Sequence, residues 1–257
     1  ENEQANTNKV VLINQDADIY DKSSGTLKKF AIVNEGYRYP VLSEYGNWWK
    51  IDAGGRVGFL HKSFTSIDKG IPILMYHHIL TEEEKADSPY ANRNSTTIDT
   101  QFNEQMDYLR DNGFTTISTK ELEGYLNRER NLPAKAVVLT IDDGNISSRI
   151  YAYPKLKELG FVADQFIITN RIPEKPYKFD HKRLHFLSKQ EMDEMDDVYN
   201  YHGHSQALHS LTDSNESFLT TKNRDEVIQD LLLNRKLLNN TTYLAYPFGQ
   251  YNEDTIE

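Results

Sequence analysis

VVLTIDDGN, residues 137–145, is an apolar run that ends abruptly on two carboxylates and a glycine. Its first five residues have the character of a strand buried on both faces. Two adjacent aspartates at the end of such a strand repel one another unless positive charge sits beside them. A metal ion would remove that difficulty, which makes Asp142 and Asp143 the first candidate functional residues of the chain.

Working outward, residues 69–257 alternate strand-like and helix-like segments. IPILMYHHI (71–79) reads as a strand, and Phe102, Met106 and Leu109 recur at helical spacing before the stop signal Gly113. Ser118 and Glu121, and again Ser188 and Glu191, have capping-box spacing. Helices are expected over 152–160 and 224–240, and strands over 163–169, 197–203 and 242–248. This alternation predicts an α/β domain with a parallel sheet, whose chemistry gathers at the C-terminal ends of its strands.

Residues 8–68 differ in kind. Short β-rich runs separated by Gly and Asn predict a small all-β barrel, with one of Trp48 and Trp49 in its core and the other exposed or binding. Residues 1–7 read as a disordered leader. Residues 8–67 carry eight Lys/Arg against six Asp/Glu, +2 in a chain of net charge −10, so the two parts have different surfaces. The overall acidity excludes a general nucleic-acid binder. The chain has no cysteine, which excludes disulfides and thiolate sites and leaves His and carboxylate as metal ligands. No apolar run is long enough for a membrane span, and the polar start has no signal-peptide hydrophobic region.

Two further polar groups fall at expected strand ends. HGHSQALH (202–209) holds His204 and His209 five residues apart, a spacing suited to a loop that folds both imidazoles onto one ion, and YPFG occupies 246–249. Two His and one carboxylate with open positions form a catalytic metal site, and a divalent ion there generates a nucleophile from water at neutral pH. The second aspartate then acquires a role as proton acceptor.

These residues resemble the polysaccharide deacetylases of carbohydrate esterase family four. That family's Thr-Phe-Asp-Asp-Gly motif is matched by Thr140–Gly144, and its His-Ser/Thr…His motif by His204-Ser205 and His209, with ILMYHHI, FIITNRIP and LAYPFGQYN in similar context. The resemblance runs from about residue 71 to the end. It implies a distorted (β/α) barrel, incomplete at its C-terminus. It also implies Asp142 as general base, Asp143, His204 and His209 as metal ligands, and the backbone N–H of Phe248 in the oxyanion hole. The implied metal is zinc, with cobalt or another first-row ion as alternatives. The implied substrate is an N-acetylglucosamine polysaccharide of the cell surface, either poly-N-acetylglucosamine or peptidoglycan, and the His spacing leans to the β-1,6-linked polymer. Residues 8–68 resemble the bacterial SH3-like domain, which implies attachment to the cell wall and a secreted or wall-associated protein.

The sequence departs from the family at two places. Ala245 stands where an arginine normally orients the base, with Arg149 and Arg93 as weak substitutes, and the Leu-x-His motif that supplies the leaving-group acid does not occur by Glu257. His77 or His78 could stand in for that acid. A non-catalytic glycan-binding or scaffold protein is therefore the alternative. His61, His181, His185 and His202 read as ordinary surface or core histidines.

Overall fold

The computed structural model describes residues 9–256, so the leader expected over 1–7 lies outside them. The chain forms two compact units. One runs through Pro72 and includes Lys120–Ala136; the other comprises Ile73–Thr119 and Val137 onward.

The first unit is built on β1 (Val10–Ile13), β2 (Ala17–Asp21), β3 (Lys28–Val33), β4 (Arg38–Tyr45), β5 (Trp48–Asp52), β6 (Val57–His61) and β7 (Thr65–Ile67). They pair antiparallel in the order β3-β2-β6-β5-β4-β1-β7. Alternate residues point inward, so Val11, Ile13, Ile19, Val41, Ile51 and Leu60 close one core. Trp49 joins that core and donates from Nε1 to Thr65 Oγ1 at 2.8 Å. Trp48 lies at the half-buried surface against Tyr20 and His61. Residues 120–136, which the sequence division at 68/69 assigns to the second domain, belong to this unit because Arg38 fastens them. Its buried guanidinium pairs with Asp68 at 3.1 Å and donates to the carbonyls of Pro133 and Ala134, each at 2.6 Å.

The second unit contains β8 (Ile73–Tyr76), β9 (His78–Leu80), β10 (Thr96–Ile98), β11 (Thr115–Ile117), β12 (Ala136–Asp143), β13 (Ala163–Ile167) and β14 (Tyr199–Gly203). Its longer helices are α1 (Glu82–Ala86), α2 (Asp99–Asp111), α4 (Tyr153–Leu159), α5 (Lys189–Asp193) and α7 (Arg224–Leu237); α3 (Thr119–Leu126) leads into 120–136, and α6 (Phe218–Thr221) and α8 (Glu253–Ile256) are single turns. Strands β8, β12, β13 and β14 pair in parallel, and β11 adjoins β12. β12 is buried along nearly its whole length, as expected of a strand with strands on both sides and helices on its faces. Phe102, Met106 and Leu109 bring α2 onto Val137, Leu139 and Ile141. The strand expected over 71–79 breaks at His77 into β8 and β9. The strand expected over 242–248 is reduced to one bridge, Leu244 with Gly203, because Pro247 has no N–H to donate and Phe248 turns the backbone left-handed. Among the described residues no helix is long and apolar enough to cross a membrane.

Candidate active site

Sheet register assembles the site. Asp143 lies opposite Ile167, Ile167 opposite Gly203, and Gly203 opposite Leu244. The residues just past that line, on the four chain segments, are Gly144, Ile168, His204 and Ala245. Asp143 and Gly144 both have positive φ, 74° and 73°, so β12 ends in a sharp left-handed turn that aspartate tolerates and glycine favours. A Cβ on Gly144 would come 2.9 Å from Ile167 Cδ1, a second reason for glycine there.

The ligand atoms of Asp143, His204 and His209 lie within 4.8 Å of one another. Asp143 Oδ1 is 3.3 Å from His209 Nε2 and 3.7 Å from His204 Nε2. These approaches are not ion pairs. Burial, and then the neighbouring His209, hold the His204 imidazole down at about 4, and burial lowers His209 despite the Asp143 charge, so both rings are neutral near pH 7. His204 Nδ1 faces the Ala245 carbonyl at 2.8 Å; donating to it turns an Nε2 lone pair toward Asp143. Asp143 Oδ1 is itself buried without a hydrogen-bond partner. Asp143 Oδ1 and the imidazole nitrogens of His204 and His209 thus converge on one point, and a divalent cation fits that donor set.

Asp142 is buried beside this cluster. Burial, and after it the Asp143 charge, push its carboxyl up to about 7. His77, at the break between β8 and β9, places Nε2 3.9 Å from Asp142 Oδ2 and is partly exposed. His78 belongs to the core: its ring packs edge-on to Tyr90, Nδ1 faces Thr96, and burial pushes it down to about 4. Phe248 has φ 59°, and its ring lies 4.5 Å from that of His209. Neither candidate arginine pairs with Asp142. Arg149 is held by Glu191 and Glu194, and Arg93 lies over Tyr90. Of the remaining histidines, His61 packs against Trp48, His181 faces Asp87, and His202 lies between Thr241 and Asp164.

Residues that sequence reasoning missed hold the 204–209 loop from α7. Asp230 accepts from Gln206 N and Ala207 N, both at 2.7 Å. One turn on, Asn234 Nδ2 donates to Ser205 O at 2.6 Å and to Ile167 O and Thr169 Oγ1 at 3.1 Å. A Cβ on Gly203 would come 2.3 Å from Asn234 Oδ1, so a side chain there would displace the clamp. The available signal was the i, i+4 pair Asp230/Asn234 inside the apolar stretch VIQDLLLN. From the other side, Arg171 donates to His209 O at 3.2 Å.

A polysaccharide deacetylase family model matches residues 129–257, half of the chain. The protein belongs to the polysaccharide deacetylase family. Among its relatives is YxkH of Bacillus subtilis (strain 168), 31% identical over 193 residues, which make 73% of this chain and 60% of that protein. Another is the poly-β-1,6-N-acetyl-D-glucosamine N-deacetylase of Staphylococcus epidermidis, 27% identical over 64% of this chain and 58% of that one. The chain spans about 60% of the length of these relatives. The solved structure of the Streptococcus pyogenes deacetylase PplD in complex with acetate superposes with a TM-score of 0.59 at 28% identity, over 72% of this chain and 77% of that one. IcaB from Ammonifex degensii shares the fold, with a TM-score of 0.62 at 24% identity over 74% and 78%.

Proposed function

We propose that the protein is a metal-dependent hydrolase that removes N-acetyl groups from an N-acetylglucosamine polysaccharide of the cell surface. The observation that carries this reading is the convergence of Asp143, His204 and His209, neutral or unpaired, beside the buried carboxyl of Asp142. Asp143, His204 and His209 hold the ion. When bound, a divalent ion, zinc or another first-row metal, supplies Lewis-acid stabilisation of the charge that develops on the acetamide oxygen.

Asp142, poised near neutrality, takes the proton from the attacking water as its oxygen bonds to the acetyl carbon. The backbone N–H of Phe248 donates to the developing oxyanion; the contact of its ring with His209 supports that placement. As the C–N bond breaks, His77 protonates the leaving amine, and acetate and a free amino sugar result. His77 is preferred to His78 because it is partly exposed and approaches Asp142, whereas His78 is enclosed.

The parallel sheet is read as part of a distorted (β/α) barrel, supported by the position of Asp143 and His204 at the C-terminal ends of β12 and β14. The β-1,6-linked polymer is preferred to peptidoglycan on the five-residue spacing of the histidines and the likeness to the staphylococcal relative. The first unit is read as an SH3-like module that attaches an extracytoplasmic enzyme to the wall, supported by its antiparallel sheet and the half-exposed Trp48. Ala245, which leaves Asp142 without an arginine, favours the second reading, a glycan-binding protein without turnover.

Acetate release from zinc-loaded protein decides between them. β-1,6-linked oligomers and wall fragments are incubated with wild type and Asp142→Asn. The hydrolase reading expects release that the substitution abolishes; a wild type that binds zinc and oligomer but releases no acetate contradicts it.

A further inference from the structure

We infer that Tyr177, stacked on His185, forms a saccharide subsite that takes a second sugar ring of the substrate polymer; the inference rests on the deacetylase reading of the adjacent site. The segment that carries both residues leaves β13 through the turn Thr169–Arg171, at the end of the parallel sheet where the neighbouring β12 presents Asp143. It is then fastened to the turn that follows Asp143. Ile146 N donates to His185 O at 2.8 Å, Leu187 N donates to Gly144 O at 2.9 Å, and Asn145 bridges antiparallel to Phe186. Arg171 ties the segment to the ligand loop, since its guanidinium lies over the Phe186 ring at 5.1 Å while it donates to His209 O.

On this fixed base the Tyr177 and His185 rings lie nearly parallel, centroids 4.7 Å apart and planes 20° apart. Tyr177 nevertheless stays 50% exposed. The segment does not need it as an anchor, because Phe179 already packs against Tyr151 and the core. A flat, pre-oriented aromatic ring matches the face of a pyranose, which presents C–H groups. Asp143 and Ile146 are three residues apart, at most roughly 11 Å along the chain, and Ile146 is hydrogen-bonded to His185. The segment that carries the platform is thus anchored at the turn that follows Asp143, and the second sugar of an oligomer whose acetamide is at Asp143 is assigned to it.

The test compares kcat/KM for β-1,6-linked N-acetylglucosamine dimer and pentamer, by acetate release, in wild type, Tyr177→Phe, Tyr177→Leu and Tyr177→Ala, with equilibrium binding of the pentamer measured in parallel. Tyr177→Ala and Tyr177→Leu are expected to shrink the pentamer-over-dimer gain and to weaken pentamer binding roughly 3- to 10-fold, while Tyr177→Phe retains both. A wild-type gain and wild-type pentamer affinity in Tyr177→Ala overturn the subsite, as does a wild type that binds no pentamer. A wild type that binds pentamer through Tyr177 yet releases no acetate upholds the subsite and overturns the deacetylase reading instead.

Discussion

Replacing Asp230 by alanine separates loop support from ligation, because Asp230 touches no metal-binding side chain. Asp230 is 8% exposed, and its carboxylate receives two backbone N–H groups at 2.7 Å, both from residues between His204 and His209. A hydrogen bond to a charged group contributes about 1.5–3 kcal/mol, and two buried donors are left without an acceptor when it is removed. Asn234, Thr169 and Asn170 still hold the loop at Ser205 and Gln206, so the ligands remain near one another but lose part of their pre-orientation. We expect Asp230→Ala to lower unfolding free energy by about 3 kcal/mol and zinc affinity roughly 10- to 100-fold, the range for residues that orient metal ligands. Asp230→Asn, which keeps one acceptor, should fall between. The assay is competition for zinc with a chromophoric chelator, alongside urea unfolding of the zinc-free protein. Zinc affinity within about twofold of wild type in Asp230→Ala would refute the claim that α7 orders the loop.

Asp142→Asn should cut acetate release roughly 10²- to 10⁴-fold while zinc titrations remain those of wild type, since the residue is assigned the proton and not the ion. Gly203→Ala should destabilise by about 1–3 kcal/mol and weaken zinc binding, because the new methyl group meets Asn234; chemical unfolding and the chelator assay check both. Asp164 is pushed up by burial, but hydrogen bonds from His202, Thr119 and Asn200 outweigh this and hold its carboxyl below the ordinary range. Its stabilising contribution is therefore complete above the unfolded value of about 3.9 and is lost as pH falls through the lower folded value. Acid unfolding curves should show a shallower loss for Asp164→Asn than for wild type over that window.

The parts of this molecule that were legible in the sequence are those where one periodicity or one motif dominates. β12 is continuous apolar chain ending in carboxylates, and α2 shows its buried face at Phe102, Met106 and Leu109. The site aspartates and histidines stood out because their types and order are chemically restrictive. α7 misleads because its polar Asp230 and Asn234 face inward to serve the loop, while Ile228, Leu232, Leu233 and Leu237 are exposed. The segment 242–248 carries strand-like residues, but one bridge and a proline-led turn replace the ladder. Residues 120–136 join the first unit through a buried arginine 82 or more positions away, a pairing no local pattern reveals. Arg149 had the right charge and lies just beyond the turn that follows Asp143, yet two glutamates hold it elsewhere.

Calorimetric zinc titration of wild type, Asp143→Ala, His204→Ala, His209→Ala and Asp142→Asn tests directly the proposal that Asp143, His204 and His209 form one metal site. One ion per wild-type chain is expected, with a loss of at least roughly 100-fold in affinity for each ligand substitution and retained binding in Asp142→Asn. Unchanged affinity and stoichiometry in His204→Ala or His209→Ala would contradict the proposal.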